Sequence, residues 1–142
     1  MTALVVDASV WVSAADASDR FSGASRTFLE ALAQRRTRIA LPAITRLEVA
    51  CALARRLRDA PGGQRLAEML FQSPMIAEEA LDTSLLAEAF RHATESFLRA
   101  GDALYAAVAR RGGYALVSWD DELIRRANAV TPEVWLAEPG GH

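Results

Sequence analysis

The sequence contains no lysine; all sixteen of its basic residues are arginine. A P-loop, a Schiff-base enzyme and a receiver-type phosphorylation site each normally need that amine, so those chemistries are disfavoured from the start. The plainest reading of the arginine excess is the codon usage of a GC-rich genome. Cys51 is the single cysteine, which rules out an intramolecular disulfide. His92 and His142 are the only histidines, leaving almost no material for a structural zinc site or a His-dependent triad. No stretch approaches the roughly 20 consecutive apolar residues that span a bilayer. The opening MTALVVDASVWV lacks a basic flank and is interrupted by Asp7, unlike a signal peptide. These absences lead us to expect a cytoplasmic protein with no membrane partner.

What is present reads as one ordinary globular domain spanning 1–142, with a tail at His142 open to disorder. Its 142 residues are 51% hydrophobic and 24% charged, a balance that supports a packed core. The net charge of −2 makes a general affinity for nucleic acid weak, because that affinity grows with the number of phosphates neutralised. Any nucleic-acid contact should be local.

Along the chain, apolar β-prone runs alternate with helical periodicity. Strands are expected at 3–6, 38–41 (ended by Pro42), weakly at 74–77, and at 114–117, with a last extended segment near Val130 and Thr131. Helices are expected from Ser9, from Arg26 to Gln34 with Phe28, Leu29 and Leu32 inward, and after Pro61-Gly62-Gly63 with Leu66, Met69 and Leu70. Ile44, Leu47, Cys51 and Ala54 recur at three- and four-residue steps and predict one buried helix face, with Cys51 in the core. Leu86, Phe90, Ala93 and Phe97 predict another, capped by Asp82 or Thr83, with His92 on its surface and Glu95 paired to Arg99. Helices from Asp102 to Arg111, stopped by Gly112-Gly113, and from Asp120 to Ala127 complete the order. Alternating strands and helices predict an α/β fold with a parallel sheet covered on both faces, whose sites gather beyond the strand carboxyl ends.

Four acids stand out against that plan. Asp7 follows four apolar residues, and Asp120 follows Ala115-Leu116-Val117-Ser118-Trp119, so two strands deliver carboxylates to one rim. Asp102 starts a helix after Gly101, and Glu48 lies in the first turns of its own. Taken singly, Asp102 and Asp120 fit a helix-capping role as readily as a functional one, and Glu48 reads as a solvated residue. Asp7 is harder to explain as a cap, because a cap need not end so apolar a strand. Together they carry more weight. Two carboxylates about 5 Å apart repel by roughly 3 kcal/mol at an effective dielectric of 20. A cluster must raise its pKa values or hold a cation, and hard oxygen donors suit Mg²⁺ or Mn²⁺. Such an ion can activate water and stabilise charge on a phosphoryl oxygen, which makes phosphodiester hydrolysis the natural use.

The pattern resembles the PIN-domain family, and within it the VapC-type ribonuclease toxins of toxin–antitoxin pairs. The likeness runs through VVDASVWV, LPAITRLEVACALAR, AGDALYAAVARRGGYALVSWDDELIRRA and VTPEVWLAE, in order and over nearly the whole chain. It implies a three-layer α/β/α domain around a mainly parallel sheet. It also implies that Asp7, Glu48, Asp102 and Asp120 are the metal-binding and catalytic acids, Asp7 and Asp102 being the principal ligands. Ser9 matches the family's hydroxyl position, with helix capping an equal alternative, and Ser118 stands where such proteins often carry Thr. Asp121 adjoins Asp120 and would exchange roles with it if the strand ended one residue later; the spacing from Ser118 favours Asp120. The implied activity is cleavage of RNA used in translation (tRNA, rRNA or mRNA), restrained by a VapB-type antitoxin, in a homodimer whose interface the apolar helices of the first half would supply. Arg46 and Arg99 lie nearest the acids in sequence as possible phosphate contacts. Trp11 and Trp119 fit base stacking less well than packing. A PIN nuclease of RNA processing without an antitoxin, a non-catalytic PIN binding module and an aspartyl phosphotransfer domain are the competing readings; the last would want a second Asp beside Asp7 and a lysine.

Overall fold

The computed structural model describes residues 3–138, so the expectation for the tail at His142 lies outside the described residues. Four strands, β1 (Ala3–Val6), β2 (Arg38–Pro42), β3 (Ile76–Glu79) and β4 (Ala115–Val117), form one sheet in the order β3-β2-β1-β4. Every pairing is parallel. The sheet is parallel as expected, and its third strand starts later than the sequence suggested. Around it run α1 (Ala8–Ala15), α2 (Ser22–Gln34), α3 (Thr45–Leu57), α4 (Ala60–Leu70), α5 (Thr83–Glu95), α6 (Ala100–Gly112), α7 (Asp121–Ala127) and α8 (Pro132–Ala137).

The three layers follow from strand alternation. Successive side chains of a strand point to opposite faces. In β1 both sets are apolar: Ala3 and Val5 pack with residues of α5, α6 and α7, whereas Leu4 and Val6 pack with α1 to α4 and Trp135 of α8. A strand buried on both faces belongs in the middle of a covered sheet. The chain proceeds from β1 to β2 to β3 on one side and then returns to place β4 on the other. That reversal creates a switch point between β1 and β4, where α/β sheets open a crevice beyond their strand ends.

Several helix faces differ from expectation. In α3 the buried residues are Thr45, Val49 and Leu53, while Leu47 is 61% exposed and Cys51 is also exposed. Of the stripe expected to be core, Leu47 and Cys51 are therefore turned outward, while Ile44 and Ala54 are half-buried. In α5, Leu85, Ala89 and His92 are buried and Ala93 half-buried; Leu86 and Phe90 are exposed, Phe90 by 71%, as is Phe97 beyond the helix end. The physical reason is the partner helix. α6 buries an almost unbroken run from Ala103 to Ala109, rich in alanine, and small Ala89 packs among these residues where Phe90 has no space. Hydrophobic size misassigns such a contact. His92 is thus buried rather than on the surface. Burial, with Arg110 and Arg91 beside it, lowers its pKa.

Caps and turns also refine the reading. Asp82, not Thr83, caps α5 by accepting from the Leu85 N–H at 2.8 Å. Arg99 does not pair with Glu95, because α5 ends at Glu95 and Arg99 begins α6. Gly62 and Gly63 lie inside α4 rather than before it, and Ala67 rather than Met69 is its buried residue. The segment at Val130 forms a single parallel bridge to Val117, and the following α8 was not expected.

Gly63 sets the spacing of the α3–α4 pair. A Cβ there would lie 2.6 Å from the backbone N of Ala54, which is rigid helix. Gly63→Ala should therefore lower stability by about 1–3 kcal/mol despite alanine's better helix propensity. Urea unfolding checks this; a variant as stable as the parent would show that the two helices move apart freely.

Candidate active site

The register of β1 and β4 builds the centre of the site. Val6 pairs with Val117, and the Asp7 N–H donates to the Val117 carbonyl at 3.1 Å. The next residues, Asp7 and Ser118, must then meet side by side at the end of the sheet. The Ser118 hydroxyl donates to Asp7 Oδ2 at 2.6 Å and accepts from the Asp120 N–H at 2.9 Å. On the other side, the backbone N–H and hydroxyl of Ser9 both donate to Asp7 Oδ1 at 2.6 Å. Ser9 in turn accepts from the Trp119 N–H at 3.1 Å. Asp7 is thus itself the cap of α1, and Ser9 supports it rather than capping in its place.

This carboxyl is 5% exposed, and burial pushes its pKa up to about 6 against the hydrogen bonds from Ser118 and Ser9 that favour the charged form. The Asp120 carboxylate adds repulsion. Both Asp7 oxygens are occupied by hydroxyls and an amide, an arrangement that disfavours Asp7 as a phosphoryl-accepting nucleophile.

The other three acids interact by charge in a chain, Glu48 with Asp102, Asp102 with Asp120 and Asp120 with Asp7. Glu48, in the first turn of α3, accepts from the Tyr105 hydroxyl at 2.5 Å. Burial raises its pKa, the Tyr105 bond opposes, and Asp102 adds repulsion. Asp102 lies in the first turn of α6 without capping it. Its pKa is raised by burial and by Asp120, and lowered by Arg99. Asp120 caps α7 by accepting from the Glu122 N–H at 2.7 Å. Its role as a cap, open in the sequence, is therefore real and coexists with its place among the acids. Asp121 points into solvent as an exposed first-turn residue, so Asp120 is the acid at the rim.

Arg99 joins two of these elements, lying 3.4 Å from Asp102 Oδ2 and 3.3 Å from Asp120 Oδ2. Asp102 Oδ2 is the one buried side-chain oxygen or nitrogen among the described residues without a well-formed hydrogen bond, and its partner is the Arg99 guanidinium at 3.4 Å. Arg99 offsets part of the cost of that burial, and a cation would complete it. Among the described residues no three acidic, His or Cys groups converge tightly enough to enclose an ion unaided. Mg²⁺ does not require that, since it commonly keeps several waters and takes one or two carboxylates. The all-oxygen donor set and the incompletely bonded Asp102 oxygen fit such an ion.

Two contributors were missed in the sequence. Tyr105, three residues after Asp102 on α6, holds Glu48. Gly101 makes room: a Cβ there would lie 3.0 Å from Glu48 Oε2. A glycine immediately before the third acid was the available signal. By contrast, Arg46 pairs with Glu78 at 3.0 Å, away from the acids. Trp11 is core, donating to the Val6 carbonyl at 3.0 Å. Trp119 stacks on Phe21 with ring centroids 4.1 Å apart and donates to Ser25, so packing accounts for both indoles.

The profile of the PIN domain family matches residues 4–129. The chain belongs to the PIN domain family. Its four-stranded parallel sheet flanked by helices is the PIN fold. No curated protein matches the chain by sequence. Among solved structures, VapC20 from Mycobacterium tuberculosis, described as a sarcin–ricin loop cleaving toxin, is similar at 20% identity, over 87% of this chain and 94% of that one, with a TM-score of 0.73. PAE2754 from Pyrobaculum aerophilum is similar at 25% identity, over 95% and 87% of the two chains, with a TM-score of 0.72. A toxin–antitoxin complex from Klebsiella pneumoniae contains a chain similar at 20% identity, over 92% and 98%, with a TM-score of 0.66.

The raised Asp7 pKa has a thermodynamic consequence for the metal-free protein. A carboxyl whose folded pKa lies above its unfolded value stabilises the fold fully below about pH 4, and that stability is lost as pH rises through about 6. The difference amounts to roughly 3 kcal/mol. Asp7→Asn keeps a capping side chain and removes the charge, so in EDTA it should flatten this part of the stability–pH curve and be the more stable protein at pH 8. Equal slopes for both proteins in urea titrations at pH 4.5 and 8 would refute the assignment. At the neighbouring position, Gly101→Ala should gain up to about 1 kcal/mol of helix stability while displacing Glu48; a rise in Tm with a fall in activity is the expected pair of results.

Proposed function

We propose that this PIN domain is a Mg²⁺- or Mn²⁺-dependent endoribonuclease of the VapC type, acting in the cytoplasm on RNA needed for translation and restrained by a VapB-type antitoxin. The observation that carries the reading is the buried Oδ2 of Asp102, held only by the Arg99 ion pair, in a carboxyl that interacts by charge with Glu48 and Asp120. Asp7 and Asp102 would hold the ion, with Glu48 and Asp120 completing the site directly or through water. When bound, the ion supplies Lewis-acid stabilisation of phosphoryl charge and a more acidic water.

The rest of the work falls to the chain. Ser9 takes both acceptor sites of Asp7 Oδ1 and Ser118 one of Oδ2, which leaves one Oδ2 lone pair with a set direction. Tyr105 fixes Glu48 by Oε1, leaving Oε2 to orient the attacking water and take its proton. Arg99 neutralises part of the acid repulsion, and its exposed guanidinium keeps donors for a backbone phosphate. The likeness to VapC20 and to a chain of a toxin–antitoxin complex supports both the nuclease and the antitoxin partner. Leu47 and Met69, apolar and exposed on α3 and α4, support a homodimer through the first-half helices.

The deciding experiment is cleavage of total cellular RNA by purified, antitoxin-free protein with Mg²⁺, Mn²⁺ or EDTA. Discrete fragments should appear with either metal and vanish in EDTA. Asp102→Asn, shown folded by circular dichroism, should be slower by at least about 100-fold, the scale seen when one charge-stabilising group is removed. Cleavage by the variant at the parent rate would place the active site elsewhere. Absence of both cleavage and metal binding in the parent would favour a non-catalytic PIN module.

A further inference from the structure

Away from the acids, a cavity of about 430 Å³ opens between α5, α6 and α7 beside the outer edge of β4. Its lining includes His92, Ser96, Arg110, Tyr114, Arg126 and Asn128, and no carboxylate. In a chain of net charge −2 that is an unusual concentration of donors. Among the described residues neither the His92 ring nor the Arg110 guanidinium has a hydrogen-bond or ion-pair partner, although His92 is only 7% exposed. An adjoining depression, which His92 and Arg110 also line, holds Glu88, Glu95, Arg91 and Arg111, and both carboxylates act on His92 by charge. The Tyr114 ring is fixed in place because it packs where a Cβ on Gly112 would sit.

The lip of the cavity is unusual in its backbone. Phe97 has φ of 56°, a left-handed conformation costly for a bulky residue, and yet its ring is 77% exposed. Arg126 holds this conformation by donating to the Phe97 carbonyl at 2.7 Å, and the Leu98 N–H donates to the Ala93 carbonyl at 3.0 Å. Arg126 is itself oriented by Glu122 at 3.0 Å, which leaves part of its guanidinium fork unused. Two residues beyond Phe97 stands Arg99, the arginine that reaches Asp102 and Asp120. The chain is thus continuous from the lip of the cavity, where Arg126 holds Phe97, to the acids that Arg99 reaches.

Taken with the nuclease reading, on which it rests, we propose that this cavity is a second subsite for single-stranded RNA. A phosphate outside the bond being cut meets Arg110 and Arg126, and its base stacks on Phe97, with Ser96, His92 and Asn128 available to the base edge. A stacking platform beside cationic groups is the general chemistry of single-strand binding. Continuity with the acids favours a polymer over a free nucleotide.

The test uses the full chain carrying Asp102→Asn as the parent, to prevent cleavage, and a fluorescein-labelled single-stranded RNA of about 12 nucleotides in EDTA. Anisotropy titrations are run across a range of salt concentrations. Arg110→Gln should weaken binding and reduce the slope of log affinity against log salt by about 0.7, the value for one lost phosphate contact. Phe97→Ala should weaken binding at least about fivefold with the salt slope kept, a split that a general loss of fold would not produce. If both variants bind as the parent does, the cavity serves a protein partner or nothing, and the inference is overturned while the nuclease reading stands. If the parent binds no RNA and the wild type cuts none, both fall together.

Discussion

Parallel pairing of β1 with β4 carries the two strand-end polar residues, Asp7 and Ser118, to the end of an interface that is otherwise apolar. The ladder fixes their relative height before any side-chain chemistry is involved. Ser118 bonds Asp7 and the Asp120 N–H; Ser9 bonds Asp7 from the other side and receives the Trp119 N–H. A slip of one residue in this register would reverse every side chain of β4 and remove Ser118 from the site. The core and the crevice are therefore specified by the same pairing.

Crowding acids at that point costs stability, and the structure offsets only part of the cost. Tyr105, Ser9 and Ser118 stabilise individual charges, and Arg99 reaches two acids at once. The carboxyls of Asp7, Glu48 and Asp102 nevertheless remain shifted upward, each chiefly by burial. A fold selected for stability alone would replace some of them with neutral groups. Retained strain of this kind at a strand end is characteristic of functional sites rather than of stability.

The parts of this arrangement that local chemistry dictates were legible in the sequence. Asp7 and Asp120 stand out because each follows an apolar strand, and β1 is recognisable because its four residues are apolar on both faces. What escaped were features that depend on a partner element. The buried face of α5 is Leu85, Ala89 and His92 because α6 presents alanines to it, and no periodicity in α5 alone reveals that. The same applies to α3, where Leu47 and Cys51 form the more hydrophobic stripe yet Thr45, Val49 and Leu53 are inside. The hold of Tyr105 on Glu48 arises only when α6 packs against α3. Gly101 acquires its meaning only from a carboxylate 53 residues earlier in the chain.

The two edges of the sheet are treated differently. Beyond β4 the chain covers itself, with Val130 exchanging backbone hydrogen bonds with Leu116 and Ser118. At the opposite side β3 is short and carries Glu78 and Glu79, which Arg46 and Arg111 hold by ion pairs. An open strand edge invites pairing with the edge of another molecule, and charge on a short strand discourages it. A carboxylate-bearing border of this sort would let the domain persist at high concentration without adding strands from its neighbours, so that its association with other chains is left to helix faces rather than to sheet extension.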